Sequence, residues 1–342
     1  MPSLAWRARL ITLSETIGVI LAATALVSAC TGQPQRPAAR PSRRATVRVQ
    51  PVARPVGAIG SYRVGKRRMT FLEPAHTGPT GQALGQRPLL TLVRYPLAQT
   101  RHAPQPARGP FPLLMFAPGF MQCAGPYSHL LQAWASAGYV VAVVDFPRTD
   151  CHVGAAAYEA DLVNQPADVS YVISRLLALS AKRHDLFSGM LNRHEIAATG
   201  QSDGGDTVAA LGANDCCADH RLVAVAVLSG AEWPPMPGRY FAHRAPPMLF
   251  VQGSADTVNP PWTSRQLYRA DSPSARYYLD LFGANHLVPY WGTNPVERLV
   301  ARVTLAFFDR YVLGQASALA RMTRDGNVRT KAALVTGHRL PP

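Results

Sequence analysis

The chain has 342 residues, 47% hydrophobic and 16% charged, a size and balance that suit one large globular domain or two small ones. Its formal charge of +15 sits mostly in the flanks: residues 1–56 carry a net +7, residues 316–342 a net +4, and the body between them +4. A nucleic-acid binder gathers positive charge on a folded face with aromatics between; the sequence shows no such interleaving, and that class is set aside.

At the N-terminus, Arg7 and Arg9 precede an apolar stretch, Thr16–Ala29, too short to span a bilayer comfortably. Small residues, Val27-Ser28-Ala29, then lead into Cys30. This resembles a bacterial lipoprotein signal, which implies cleavage before Cys30 and lipidation of its thiol; the alternative is an ordinary secretory signal with an incidental cysteine. The expectation is a signal peptide over 1–29 and a lipidated Cys30, with the protein on the outer face of the cell membrane or secreted. Residues 30–56 are rich in Pro and Arg, bury too little apolar surface to fold, and read as a tether. Its arginines would add attraction to anionic lipid.

The folded part is expected over 57–315. Tyr62–Pro74 and Leu89–Pro96 read as early strands, and Leu113–Ala117 and Val140–Phe146 as strands buried on both faces. Tyr127–Ala137 has helical spacing, and Leu162–Leu179 reads as a long helix with an apolar stripe from Val169 to Leu177. Further strands are expected at Ile196–Gln201, Leu222–Leu228, Met248–Gln252 and Arg276–Leu281, with a short helix at Thr207–Leu211 and an amphipathic helix over Val296–Leu313. Strands alternating with helices imply an α/β fold: a mostly parallel central sheet with helices on both faces. Between Leu228 and Met248 the chain is short and proline-rich, leaving no room for a large lid domain and predicting an open cleft. Residues 316–342 have weak periodicity and read as a partly disordered tail. Of the five cysteines, Cys123 and Cys151 each follow a strand and should meet at one sheet edge. The adjacent Cys216 and Cys217 fall at the opposite edge, bridged or free. No cysteine or histidine spacing suggests a metal site.

Gly200-Gln201-Ser202-Asp203-Gly204-Gly205 reads G-x-S-x-G between a strand and a helix, the context of a nucleophile elbow. A serine hydroxyl needs a base in contact and a third group to fix that base. Gly253-Ser254-Ala255-Asp256 supplies an acid after a strand, and Gly283-Ala284-Asn285-His286 a base after the last strand expected, both at strand C-terminal ends. Glu232 is the rival acid. Two backbone N–H donors are expected for the oxyanion: Asp203, after the nucleophile, and Phe120, in the loop Pro118-Gly119-Phe120.

These motifs resemble the α/β-hydrolases, in particular bacterial polyester hydrolases of the cutinase type, platelet-activating-factor acetylhydrolase-like esterases and dienelactone-hydrolase-like proteins. The likeness covers about Val56 to Gly314 and is carried by PGF at 118–120, GQSDGG at 200–205, GSADTVNP at 253–260 and GANHLVP at 283–289. It implies a serine esterase without cofactor or metal, acting on small or polymeric esters, with catalytic Ser202, Asp256 and His286. It places Trp233 where the polyester hydrolases have a substrate-lining aromatic, although a packed loop tryptophan fits the sequence equally. Asp203 departs from the family, which often has a neutral residue there, and a carboxylate beside a developing oxyanion should oppose it. A peptidase or acyltransferase on the same triad, and a non-catalytic surface binding lipoprotein, are the alternatives.

Overall fold

The apolar runs of the sequence become strands sealed on both faces: Leu113, Leu114, Met115 and Phe116 are all within 1% of complete burial. The structure is a computed structural model that describes residues 57–98, 104–271 and 275–337. The signal, Cys30 and the tether lie outside the described residues. The strands of the main sheet are β1 (Arg63–Glu73), β2 (Arg87–Leu97), β3 (Phe111–Ala117), β4 (Val140–Asp145), β5 (Leu191–Gln201), β6 (Leu222–Leu228), β7 (Met248–Gly253), β8 (Arg276–Leu281) and β9 (Ala332–Thr336). They form one nine-stranded sheet in the order β1-β2-β4-β3-β5-β6-β7-β8-β9. From β4 to β8 every pairing is parallel. The pairs β1–β2, β2–β4 and β8–β9 are antiparallel. A mostly parallel sheet must be covered on both sides because its strands carry no polar face. Helices α1 (Ser128–Ser136), α5 (Pro295–Tyr311) and α6 (Ala318–Gly326) cover one side. Helices α2 (Gln165–Ala181), α3 (Asp203–Ala213) and α4 (Pro261–Ala270) cover the other.

Two expectations are corrected. The long helix expected over Leu162–Leu179 is a 3₁₀ segment, Glu159–Asn164, followed by α2. Pro166 sets that break, because proline lacks an N–H and clashes with the preceding turn, so it is tolerated only in a helix's first turn. The tail expected from residue 316 is largely structured: it forms α6 and then β9, which adds to the sheet edge against β8. Ala318 and Met322 on α6, and Ala332 and Leu334 on β9, are buried. Two apolar residues per element are too few to form a legible period, and the burial comes from packing against α5 and β8.

The parallel strands end together along one edge, the crest, where their outgoing loops gather. A disulfide joins Cys123, in the loop after β3, to Cys151, in the loop after β4, with Cα atoms 5.4 Å apart. Cys216 and Cys217 are bonded to each other beyond α3. The segment from Ser229 to Pro247 contains no helix or strand, so no lid domain interrupts this stretch. No helix among the described residues is long and apolar enough to cross a membrane.

Candidate active site

The turn between β5 and α3 places Ser202 at the crest in a backbone conformation that L-residues avoid, with φ 58° and ψ −127°. Two glycines make the turn possible. A Cβ on Gly200 would lie 2.1 Å from the Gly204 oxygen, and one on Gly204 would lie 1.9 Å from the Ala117 oxygen, neither of which any side chain can occupy. Ser202 N–H donates to the Leu228 carbonyl and its own carbonyl accepts from Asp206, so both neighbours clamp the strained residue.

The loop after β8 brings His286 to the serine, with Nε2 2.9 Å from Ser202 Oγ. The loop after β7 brings Asp256, whose Oδ2 lies 2.8 Å from His286 Nδ1. The imidazole and carboxylate are buried and the serine is half-buried, so the hydroxyl is the reachable end of the array. Asp256 also accepts from Gln252 Nε2 at 2.9 Å and from the N–H groups of Val258 and Asn259 at 2.9 and 3.0 Å. Burial pushes this carboxyl up, but the bonds from His286 and from the two backbone amides outweigh it and hold Asp256 below the usual carboxylate range. An ionised Asp256 fixes the proton on Nδ1 and leaves Nε2 as acceptor for the serine hydroxyl. The rival acid, Glu232, is instead paired with Gln266 Nε2 at 3.2 Å and has no contact with His286.

The loop after β3 packs directly on Ser202: a Cβ on Gly119 would sit 3.1 Å from Ser202 Cβ. Phe120 N–H donates to no backbone acceptor among the described residues, and Asp203 N–H lies against its own carboxyl. Asp203 opens α3, whose first amides are left unpaired by helix geometry. These are the two donors expected from the sequence.

Sequence reasoning missed a chain of bonds behind the site. Gly119 N–H donates to Tyr127 Oη at 3.2 Å, and Tyr127 Oη donates to Gln201 Oε1 at 2.8 Å. Gln201 Nε2 lies 3.2 Å from the His286 carbonyl and 3.2 Å from His286 Nε2. A carbonyl accepts only, which fixes the orientation of the Gln201 amide. The chain therefore runs in one direction from the loop after β3 to the His286 imidazole. Gln201 lay inside the motif, but nothing in the sequence marked Tyr127.

Trp233 is half-buried against a small cluster that includes Leu162, Val163 and Met236. It lines a cavity of about 490 Å³ with Glu232, Tyr240, Trp262 and Gln266, which takes in none of Ser202, Asp256 or His286. Asp203 is 7% exposed and its Oδ2 has no partner. Burial first, then the charge of Glu159, pushes its carboxyl up to about 7 against the pull of its own N–H. Cys123, Cys151 and His152 place ligand atoms within 4.8 Å of one another, but the disulfide consumes both thiols. No family model matches the sequence, and no curated protein matches it.

Proposed function

We propose that the protein is a serine hydrolase of the α/β-hydrolase fold that cleaves carboxylic esters through an acyl-enzyme. The observation that carries this reading is the continuous array Ser202 Oγ, His286 Nε2, His286 Nδ1, Asp256 Oδ2, at 2.9 and 2.8 Å. The order Ser, Asp, His along the chain, with the serine on a strained strand-to-helix turn, supports the finer fold assignment.

Ser202 Oγ attacks the ester carbonyl carbon while its proton passes to His286 Nε2. The carbonyl oxygen takes up the negative charge and is met by the N–H groups of Phe120 and Asp203. His286 then gives its proton to the departing alkoxide oxygen. Asp256 stabilises the imidazolium while it lasts. Water, deprotonated by His286, attacks the acyl carbon and restores the serine. The absence of a lid in the segment after β6 leaves the crest open to bulky esters, and the expected lipoprotein export would set the enzyme outside the cell membrane. The test is hydrolysis of short-chain p-nitrophenyl esters: the wild type cleaves them and takes a fluorophosphonate label at Ser202, and Ser202→Ala does neither. Undiminished hydrolysis by the alanine variant overturns the assignment.

A further inference from the structure

The sheet is electrically polarised along its strands. At the crest Asp150, Glu159, Glu232 and Asp256 stand against Arg148, Arg298, Arg329 and Lys331, while burial pushes the carboxyls of Asp203 and Asp206 toward their neutral forms, so this edge is close to balance. The opposite edge, where the strands begin, is basic. Arg63 opens β1 and Arg108 precedes β3. Lys182 and Arg183 follow α2, Arg193 lies at the start of β5, and Arg244 precedes β7. All six are exposed, and none has an ion pair among the described residues. His184, His194, His220 and His243 lie exposed among them. The solvent-reachable acids on this edge are Asp219, held by Arg221 at 2.5 Å, Asp215, 3.8 Å from Arg239, and the half-buried Asp185 and Glu195, fewer than the bases.

We infer that this basal face docks on an anionic lipid surface. Three observations select that partner. The basic N-terminal segment joins the fold at this same edge, since Gly57 N–H donates to the Ala137 carbonyl and Tyr62 N–H to Ser136, just ahead of β4. That segment, residues 1–56, brings eight arginines against one acid. The loop after α2 presents Leu186, 40% exposed, directly behind Lys182, Arg183 and His184, an apolar side chain among cations as an interfacial contact requires. The exposed large aromatics among the described residues, Tyr158, Trp262 and Phe282, all lie at the crest, so the basal face offers no exposed ring there for stacking a nucleic-acid base. Docked this way, the crest and Ser202 face the aqueous side. This inference stands on charge placement and is independent of the catalytic reading.

The test is sedimentation of the full chain with vesicles of phosphatidylcholine alone or with about one-third phosphatidylglycerol. A basic residue near an anionic surface is worth roughly fivefold in partitioning. The variant Lys182→Gln/Arg183→Gln/Arg193→Gln/Arg244→Gln should therefore bind anionic vesicles on the order of several hundredfold more weakly. A control with the same change in charge, Arg148→Gln/Arg298→Gln/Arg329→Gln/Lys331→Gln, should bind nearly as the wild type does. Both variants should melt with the wild type. Equal losses in the two variants overturn the inference, because net charge alone would then explain binding. No loss in the basal variant overturns it by placing the interaction in residues 1–56. Equal binding to neutral vesicles, or tighter binding to a single-stranded oligonucleotide than to anionic vesicles, overturns it as well.

Discussion

Asp203→Asn tests how a carboxyl is tolerated beside the oxyanion. The group is buried, its Oδ2 is unpartnered, and its carboxyl is pushed from the ordinary 3.8 to about 7. Because the folded value is raised, the folded protein keeps a proton that the unfolded chain releases. The cost of ionising it is absent below pH 4, grows between 4 and 7, and is complete above 7. The gap is about three pH units, and at about 1.4 kcal/mol per unit this is on the order of 4 kcal/mol. A carboxylate in the first turn of α3 gains only about 0.3–1 kcal/mol from the helix dipole, so burial wins. Asparagine keeps the shape and removes the charge. Chemical unfolding should therefore find Asp203→Asn equal to the wild type at pH 4 and more stable by about 2–4 kcal/mol at pH 8. Activity should follow the same titration. If the carboxylate is taken at roughly 5 Å from the oxyanion and the effective dielectric near 20, it would oppose the oxyanion by about 3 kcal/mol, or roughly a hundredfold. The ratio of kcat/KM for variant over wild type should thus be near one at pH 6 and climb steeply by pH 8.5. A ratio that does not change with pH, or a variant less stable than the wild type at pH 8, refutes the reasoning.

The acid is tested by parallel substitutions: Asp256→Asn should lower kcat by about four orders of magnitude, while Glu232→Gln, which loses only its bond to Gln266, should stay within about tenfold by the same steady-state assay. Tyr127→Phe leaves Gly119 N–H and Gln201 Oε1 without their partner. It should cost about 2 kcal/mol, read as a drop in kcat of roughly thirtyfold with KM held, and a variant with full kcat refutes a role for the chain of bonds. Arg87 grips Asp168 through Nε and Nη2 at 2.7 and 2.6 Å and Asp161 through Nη1 and Nη2 at 3.1 and 2.7 Å. Arg87→Ala strands both buried carboxylates and should lower unfolding stability by about 3–5 kcal/mol in urea.

The parts of the fold that could be read from the sequence are those where one local rule decides. Runs such as Leu113–Ala117 and Val140–Asp145 are apolar at every position or nearly so, and a strand sealed on both faces leaves no other reading. The Gly200–Gly205 motif is legible because the close approach of Ala117 and Gly204 admits only glycine. The acid and base loops are legible because each follows a strand, and strand ends converge. What stayed hidden depends on contacts that are distant in sequence. β9 has two inward residues and exists because β8 offers an unpaired edge. Tyr127 only opens the stretch read as helical, just before α1, yet its hydroxyl bonds to Gln201, 74 residues away. Arg87 and its two carboxylates are 74 and 81 positions apart.

The charge of the body shows the same limit in a sharper form. Residues 57–315 carry only +4, and their basic residues are scattered one or two to a loop, so the sequence offers no patch. In a parallel sheet, however, every incoming loop opens on one edge and every outgoing loop on the other. Alternate loops along the chain are therefore neighbours in space. Arg108, Lys182, Arg183, Arg193 and Arg244 span 137 positions in sequence but share one edge, while acids between them such as Asp150, Glu159 and Glu232 lie at the other. A near-neutral total is thus compatible with a strongly polar molecule, and the sign of each loop, read against its place before or after a strand, is the quantity that the bulk charge conceals. The same sorting explains why Asp203 is so perturbed. At this edge Arg87 is engaged by Asp161 and Asp168, and among the described residues no ion pair reaches Asp203, so burial and the charge of Glu159 push its carboxyl up and protonation, not pairing, keeps the field near Ser202 low.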